Sequence, residues 1–141
     1  ERKYKRDYNA EGLEVHYKCI SDDYEFEVWN DYLDGNCVHT SDSDGEETWT
    51  EFNSDGKKLN EKTSDGREFE YEYDANGNLS FMICREDGLE LKKYYTKDKD
   101  GKLLKYKFYR NGNLVSDCHY EYQLDDDGRV MKKVTYEKLT H

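Results

Sequence analysis

The sequence contains no proline. Because proline cannot donate a backbone hydrogen bond to a β-ladder, its absence suits a chain of many strands whose N–H groups are all in use. Apolar residues are scarce as well, 34% of the chain against 39% charged, which leaves too little material for a thick two-layer core. The 14 Tyr, 5 Phe and 2 Trp nevertheless supply aromatic area that disordered segments lack. A thin, aromatic-rich sheet satisfies both conditions. No apolar run approaches the roughly 18 residues that span a bilayer, and no signal-peptide pattern is present, so membrane insertion is not expected. The chain begins at Glu1 without a methionine, which leaves open whether a leader or upstream domain was removed.

Signatures of catalysis and metal binding are missing too. Cys19, Cys37, Cys84 and Cys118 form no Cys-x-x-Cys pair, which excludes the common zinc-ribbon and redox spacings. Free, partly buried thiols in a reducing, cytoplasmic compartment are the expectation for them. His16, His39, His119 and His141 share no short spacing that suggests zinc. Neither a Gly-x-Ser-x-Gly elbow nor a phosphate-binding Gly-x-x-x-x-Gly-Lys-Ser/Thr loop occurs. Thr40, Asp42, Asp44, Gly45 and Glu51 fall on positions of an EF-hand loop, but the first ligand is Thr where Asp is needed and no helix flanks the segment. An Asp-rich hairpin turn accounts for them. The chain is therefore read as non-catalytic, with no cofactor and no metal.

Charge is unevenly supplied: 33 acidic residues against 22 basic ones give a net charge of −11. Such a surface repels phosphate backbones and anionic headgroups at long range, so nucleic acid and membrane are poor partners. A basic protein is a fitting one, although acidity also keeps an open sheet soluble.

What is abundant is one local pattern. Glycines 12, 35, 45, 56, 66, 77, 88, 101, 112 and 128 are separated by 23, 10, 11, 10, 11, 11, 13, 11 and 16 residues, and all but Gly12, which follows Glu11, come after Asp or Asn. The longest interval has room for one more turn at Ser21-Asp22-Asp23. A strand of seven or eight residues plus a turn fills a period near eleven, whereas a helix with its connections needs more. Asn-Gly and Asp-Gly readily adopt the left-handed dihedrals of hairpin turns. Eleven turns predict about twelve strands in an all-β antiparallel meander, forming one β-hairpin repeat domain over 1–141, either as an open twisted sheet or curled toward a barrel.

The clearest unit runs from Gly66 to Leu79, where Phe69, Tyr71 and Tyr73 alternate with Glu68, Glu70 and Glu72, the period of a half-buried strand. Leu79, Phe81 and Ile83 are expected opposite that aromatic row. In Tyr24–Tyr32, Tyr24, Phe26, Val28 and Tyr32 take one face and Glu25, Glu27 and Trp29 the other. Residues 40–65, poor in apolar groups, are expected to be the most exposed and mobile part of the sheet. Tyr94-Tyr95 and Leu103-Leu104 put apolar groups on both faces and predict a bulge or a locally covered outer face. Leu114 to Leu124 reads as one long strand, and a last strand from Val130 to Tyr136 is expected to place Val130, Val134 and Tyr136 inward.

Gly66, Tyr71, Tyr73-Asp74 and Gly77-Asn78-Leu79 resemble the YD repeat of bacterial Rhs-type and teneurin-type shell proteins, and the likeness extends over about residues 66–130. Tyr109-Arg-Asn-Gly112-Asn-Leu114 is similar to the hairpin repeats of MORN-like, antitoxin-type bacterial proteins. The first resemblance implies a structural wall or cell-surface fragment. The second implies a cytoplasmic immunity protein that blocks a basic toxin domain, and with the acidic charge this is the leading expectation. Binding candidates are the aromatic residues Trp29, Trp49 and Tyr94 and the acidic cluster Asp125, Asp126 and Asp127, which also reads as a solvated turn. Exposed tyrosine and tryptophan rows could instead stack on sugars, which keeps a sugar or small-ligand binder as a further alternative.

Overall fold

In a computed structural model, residues 1–139 are described here, and His141 lies outside them. Twelve strands follow one another: β1 (Lys3–Tyr8), β2 (Glu14–Ile20), β3 (Glu25–Leu33), β4 (Asn36–Asp42), β5 (Glu47–Phe52), β6 (Lys58–Thr63), β7 (Glu68–Tyr73), β8 (Leu79–Glu86), β9 (Leu89–Lys97), β10 (Leu103–Arg110), β11 (Asn113–Leu124) and β12 (Val130–Leu139). Their order in the sheet is their order in the sequence, an antiparallel meander with β1 and β12 at its two unpaired ends. The chain divides into two compact units, Glu1–Glu68 and Phe69–His141.

Eleven turns of three kinds connect the strands. In the commonest, an Asn or Asp ends the strand and Gly follows three residues later. At Asn53, for example, the Gly56 N–H donates to Asn53 O at 3.0 Å and the Asn53 N–H to Lys57 O at 2.8 Å. The Asn53 side-chain oxygen then accepts the N–H groups of Asp55 and Lys57, both at 3.0 Å. The same pair of side-chain bonds recurs at Asn9, Asp42, Asp74, Asp98 and Asp125. At the equivalent turn of β6, Thr63 accepts from the Arg67 N–H at 3.2 Å, while its hydroxyl donates to Asp65. A second kind, two residues long, places Asp34-Gly35, Asp87-Gly88 and Asn111-Gly112 at positive φ throughout, from 44° to 81°, as a type I′ hairpin requires. The third is the glycine-free turn Ser21–Tyr24, closed by a 2.7 Å bond from the Ser21 N–H to Tyr24 O.

Beside many turns one extra residue is inserted. Register shifts leave Val15, Val38, Leu59, Leu104, Val115 and Met131 without a direct partner, and every one of these is apolar. Such a bulge turns its own side chain and all later ones to the other face. The bulge expected near Leu103-Leu104 is among them. The same effect corrects an expectation in β8. Arg85 Nη1 lies 3.4 Å from Glu70 Oε2, so Ile83 and Phe81, of the same parity as Arg85, share the face of Glu70 rather than that of Phe69 and Tyr71.

A single sheet has no middle layer, and side chains bury themselves by lying on their cross-strand neighbours. Among the described residues Ile83, at 1% exposure, is the most buried hydrophobic one, followed by Cys118 at 6%. Tyr95, Tyr106 and Cys118 are successive register partners on β9, β10 and β11, with the two tyrosine rings 5.4 Å apart. Burial raises both phenol pKa values. Each such aromatic contact adds about 0.5–1.5 kcal/mol beyond burial.

Exposure concentrates at the terminal strands rather than in residues 40–65, where Phe52 and Leu59 are half-buried. In β12, Val130 (49%) and Tyr136 (56%) are exposed instead of facing inward, and only Val134 is half-buried. A strand with one neighbour lacks the second row of side chains that would cover it.

The turns predict a mutational pattern. Asn53→Ala removes two side-chain bonds and should cost about 1–2 kcal/mol, and Gly56→Ala, at φ +78°, about 1–2 kcal/mol through left-handed strain. Asn53→Asp, which keeps the acceptor, should be near neutral. Urea unfolding of the three variants checks this ordering.

Candidate functional site

Unit 1 contains one constellation twice. On β2, His16 Nδ1 is 3.0 Å from Asp7 Oδ2 of β1 and Nε2 is 2.8 Å from Glu27 Oε2 of β3. Its ring stacks on Trp29 at 5.6 Å and 17°. On β4, His39 Nδ1 is 2.9 Å from Asp31 Oδ2 of β3 and Nε2 is 3.4 Å from Glu47 Oε1 of β5, with the ring stacked on Trp49 at 5.5 Å and 17°. The Nε2–Glu47 contact is an ion pair off the hydrogen-bond direction, because Nε2 is buried without a well-aligned acceptor. Each histidine thus ties three strands together.

Register explains the repetition. Asp7, His16 and Trp29 are successive cross-strand partners, as are Asp31, His39 and Trp49. Glu27 and Glu47 lie two residues before their tryptophans and so share the same face. A serine from the next turn but one anchors each glutamate: Ser43 bonds both backbone groups of Glu27 at 2.9 Å, and Ser64 those of Glu47 at 2.9 and 2.8 Å. Since Trp29 pairs with Ser41, two residues from His39, both indoles occupy one face of unit 1, with 42% and 44% exposure.

For His16, donor counting favours the protonated ring. A neutral imidazole has one N–H and cannot donate to two carboxylates, whereas an imidazolium can. His16 is held above its ordinary value of 6.5 by its hydrogen bonds to Asp7 and then Glu27. His39 is raised chiefly by its bond to Asp31. Correspondingly, the bond to His16 draws Asp7 and Glu27 below their ordinary values. While His16 donates from both ring nitrogens, that ring has no lone pair to offer a metal or a substrate. Among the described residues no cluster of His, Cys, Asp and Glu is arranged to hold a metal.

Other residues singled out in the sequence fall elsewhere. Tyr94 belongs to unit 2, 43% exposed, between Phe81 at 4.9 Å and Tyr109 at 5.7 Å. Asp125 caps a turn, accepting the N–H groups of Asp127 at 3.0 Å and Arg129 at 2.8 Å, and Asp126 and Asp127 lie in that turn. In the EF-hand-like stretch, Thr40 is in β4, Glu51 in β5 and Asp42 caps the hairpin between them. The repeated Glu-x-Trp at Glu27–Trp29 and Glu47–Trp49 was the available signal for the paired clusters. It needed the register to bring in His16, His39, Asp7 and Asp31.

Charge is partitioned between the units. Residues 1–68 carry 19 acidic and 9 basic groups, and residues 69–141 carry 14 and 13, so unit 1 holds −10 of the total −11.

No protein-family model matches the sequence, and no curated protein does. Solved structures do resemble the fold. The crystal structure of TcdB2-TccC3-TEV overlays with a TM-score of 0.71 at 14% identity, covering 94% of this chain and 8% of that one. Crystal structures of TcdB2-TccC3-Cdc42 and of TcdB2-TccC3 align over 95% and 99% of this chain, at 13% identity, but with TM-scores of 0.29, which do not establish a common fold. The shared property is the β-hairpin-repeat sheet, and this chain spans a small fraction of the TcdB2-TccC3-TEV chain.

The histidine clamps predict a pH dependence. A group bound to its proton more tightly in the fold contributes fully below its unfolded value, here near 6.5, and ceases to as pH rises through its folded value. Both tryptophans lie in unit 1, so their fluorescence reports that unit alone. Its urea midpoint should fall between pH 6 and pH 9, and His16→Gln with His39→Gln should lower the midpoint at pH 6 and flatten the slope. A wild-type midpoint that rises or stays level over this range contradicts the clamp.

Proposed function

We propose that the chain is a non-catalytic stretch of YD-type β-hairpin-repeat wall in a bacterial protein that encloses or displays other segments at the cell surface. The observation that carries this reading is the overlay of 94% of the chain on 8% of the TcdB2-TccC3-TEV chain, where the same fold is a short run within a much longer one. The likeness of Gly66–Leu79 to a YD unit supports it. So do the two edge strands, whose exposed Tyr4, Tyr8, Met131 and Tyr136 suit a neighbouring strand better than water.

In this role the ladder itself is the function. Backbone bonds continue from strand to strand, most turns are locked by a capping side chain, and no reacting group is required.

A second reading is an acidic immunity-type binder of a basic toxin domain in the cytoplasm. The charge of −10 on residues 1–68 and the paired exposed indoles of the same unit favour it. Complementary charge would speed encounter, and Trp29 and Trp49 would supply most of the affinity.

Isolation of the native polypeptide with an antibody to this segment separates the two. The wall reading predicts a parent chain many times longer, without a stoichiometric basic partner. A small chain that retains a basic protein at low salt and loses it at high salt would overturn that reading in favour of the binder.

A further inference from the structure

Unit 2 contains a groove of about 390 Å³ lined by Tyr94 and Thr96 of β9 and Lys105, Lys107 and Tyr109 of β10. Register places all five on one face. Tyr94 is the partner of Lys107, and Thr96 the partner of Lys105, and Tyr109 lies two residues from Lys107 on the same strand. Phe81 backs Tyr94 at 4.9 Å, and Tyr109 meets it edge-on at 5.7 Å and 81°. The rings therefore present a fixed aromatic corner with Tyr94 43% exposed.

The polar groups of this groove are unspent. Elsewhere in unit 2, Lys92 and Lys102 meet carboxylates, and Lys93, Lys97 and Lys133 lie over aromatic rings. Among the described residues, no ion pair or hydrogen bond joins Lys105 or Lys107, the Thr96 hydroxyl, or the phenols of Tyr94 and Tyr109. Asp117 lies opposite Lys107 in register without closing an ion pair. Two ammonium groups on alternate residues, roughly 7 Å apart at the backbone, stand beside three free hydroxyls and an exposed ring.

From this set we infer that the groove binds an acidic saccharide: a pyranose ring lying on Tyr94, its hydroxyls meeting Thr96 and the phenols, its carboxylate between Lys105 and Lys107. A ring face with polar edges matches an aromatic platform with polar surroundings, and a carboxylate provides the charge that two unpaired ammoniums lack. An aromatic anion would use the ring and the lysines but leave the hydroxyls idle. The site depends on neither reading of the chain's larger role.

Isothermal titration of the intact chain with trigalacturonic acid, its methyl ester and inorganic phosphate tests this. Saturable binding of the acid is expected, at least tenfold weaker with the ester and unaffected by phosphate at equal concentration. Lys105→Gln with Lys107→Gln should reduce binding to the level of the ester, and Tyr94→Ala should weaken acid and ester alike. The β-sheet circular dichroism of each variant serves as the folding control. Absence of saturable binding, equal affinity for acid and ester, displacement by phosphate at equal concentration, or undiminished binding by the folded lysine variant would each overturn the proposal.

Discussion

The fold depends on one short-range interaction, the acceptance of two backbone N–H groups by a single Asn or Asp oxygen at the end of a strand. In a tight turn these donors point inward, where water reaches them poorly, and an unmet donor costs about 1–3 kcal/mol. Glycine at the following left-handed position lets the chain close around that oxygen, with φ near +80° at Gly56, Gly77 and Gly101. Each hairpin capped in this way sets its own reversal from local sequence alone. That independence matters in a chain with few buried residues, because no central core is present to impose the turns from outside.

Once the turns are set, the strands hold one another in two ways. In unit 2 the dominant contact is between rings, as in Tyr95 against Tyr106, with Cys118 continuing the row. Unit 1 relies more on charge: His16 and His39 each connect carboxylates on flanking strands while lying on an indole. Lys18 adds to the first of these networks through Glu25 and Glu27. Such clamps are partly exposed and respond to pH, whereas ring contacts do not. The two units thus use the same ladder with different side-chain chemistry.

Strand number, meander order and turn positions were legible because each is coded within about eleven residues. Asp-Gly and Asn-Gly mark the reversals, and alternation of Phe69, Tyr71 and Tyr73 with glutamates marks the strand. Faces were less legible, because an inserted residue such as Leu104 or Met131 exchanges the two sides and looks like any other apolar strand residue. Edges were missed for a related reason: Val130 and Tyr136 have the parity of inward residues, and only the absence of a further strand leaves them exposed. The candidate site was half visible. Trp29 and Trp49 stood out, but His16 and His39 lie 23 residues apart in sequence, and only the register discloses that they make the same contacts. Asp125 caps its turn, a role that sequence does not distinguish from ligand binding.

The most direct test of this account is amide hydrogen exchange across the turn after β5. The N–H groups of Asp55 and Lys57 both donate to the Asn53 side chain, while that of Ser54, between them and Asn53, points to no such acceptor. Protection at Asp55 and Lys57 well above that at Ser54, lost in Asn53→Ala with the flanking strands still protected, is the predicted result. Equal, unprotected exchange at all three amides in the native protein would contradict the claim that the side-chain cap sets the hairpin.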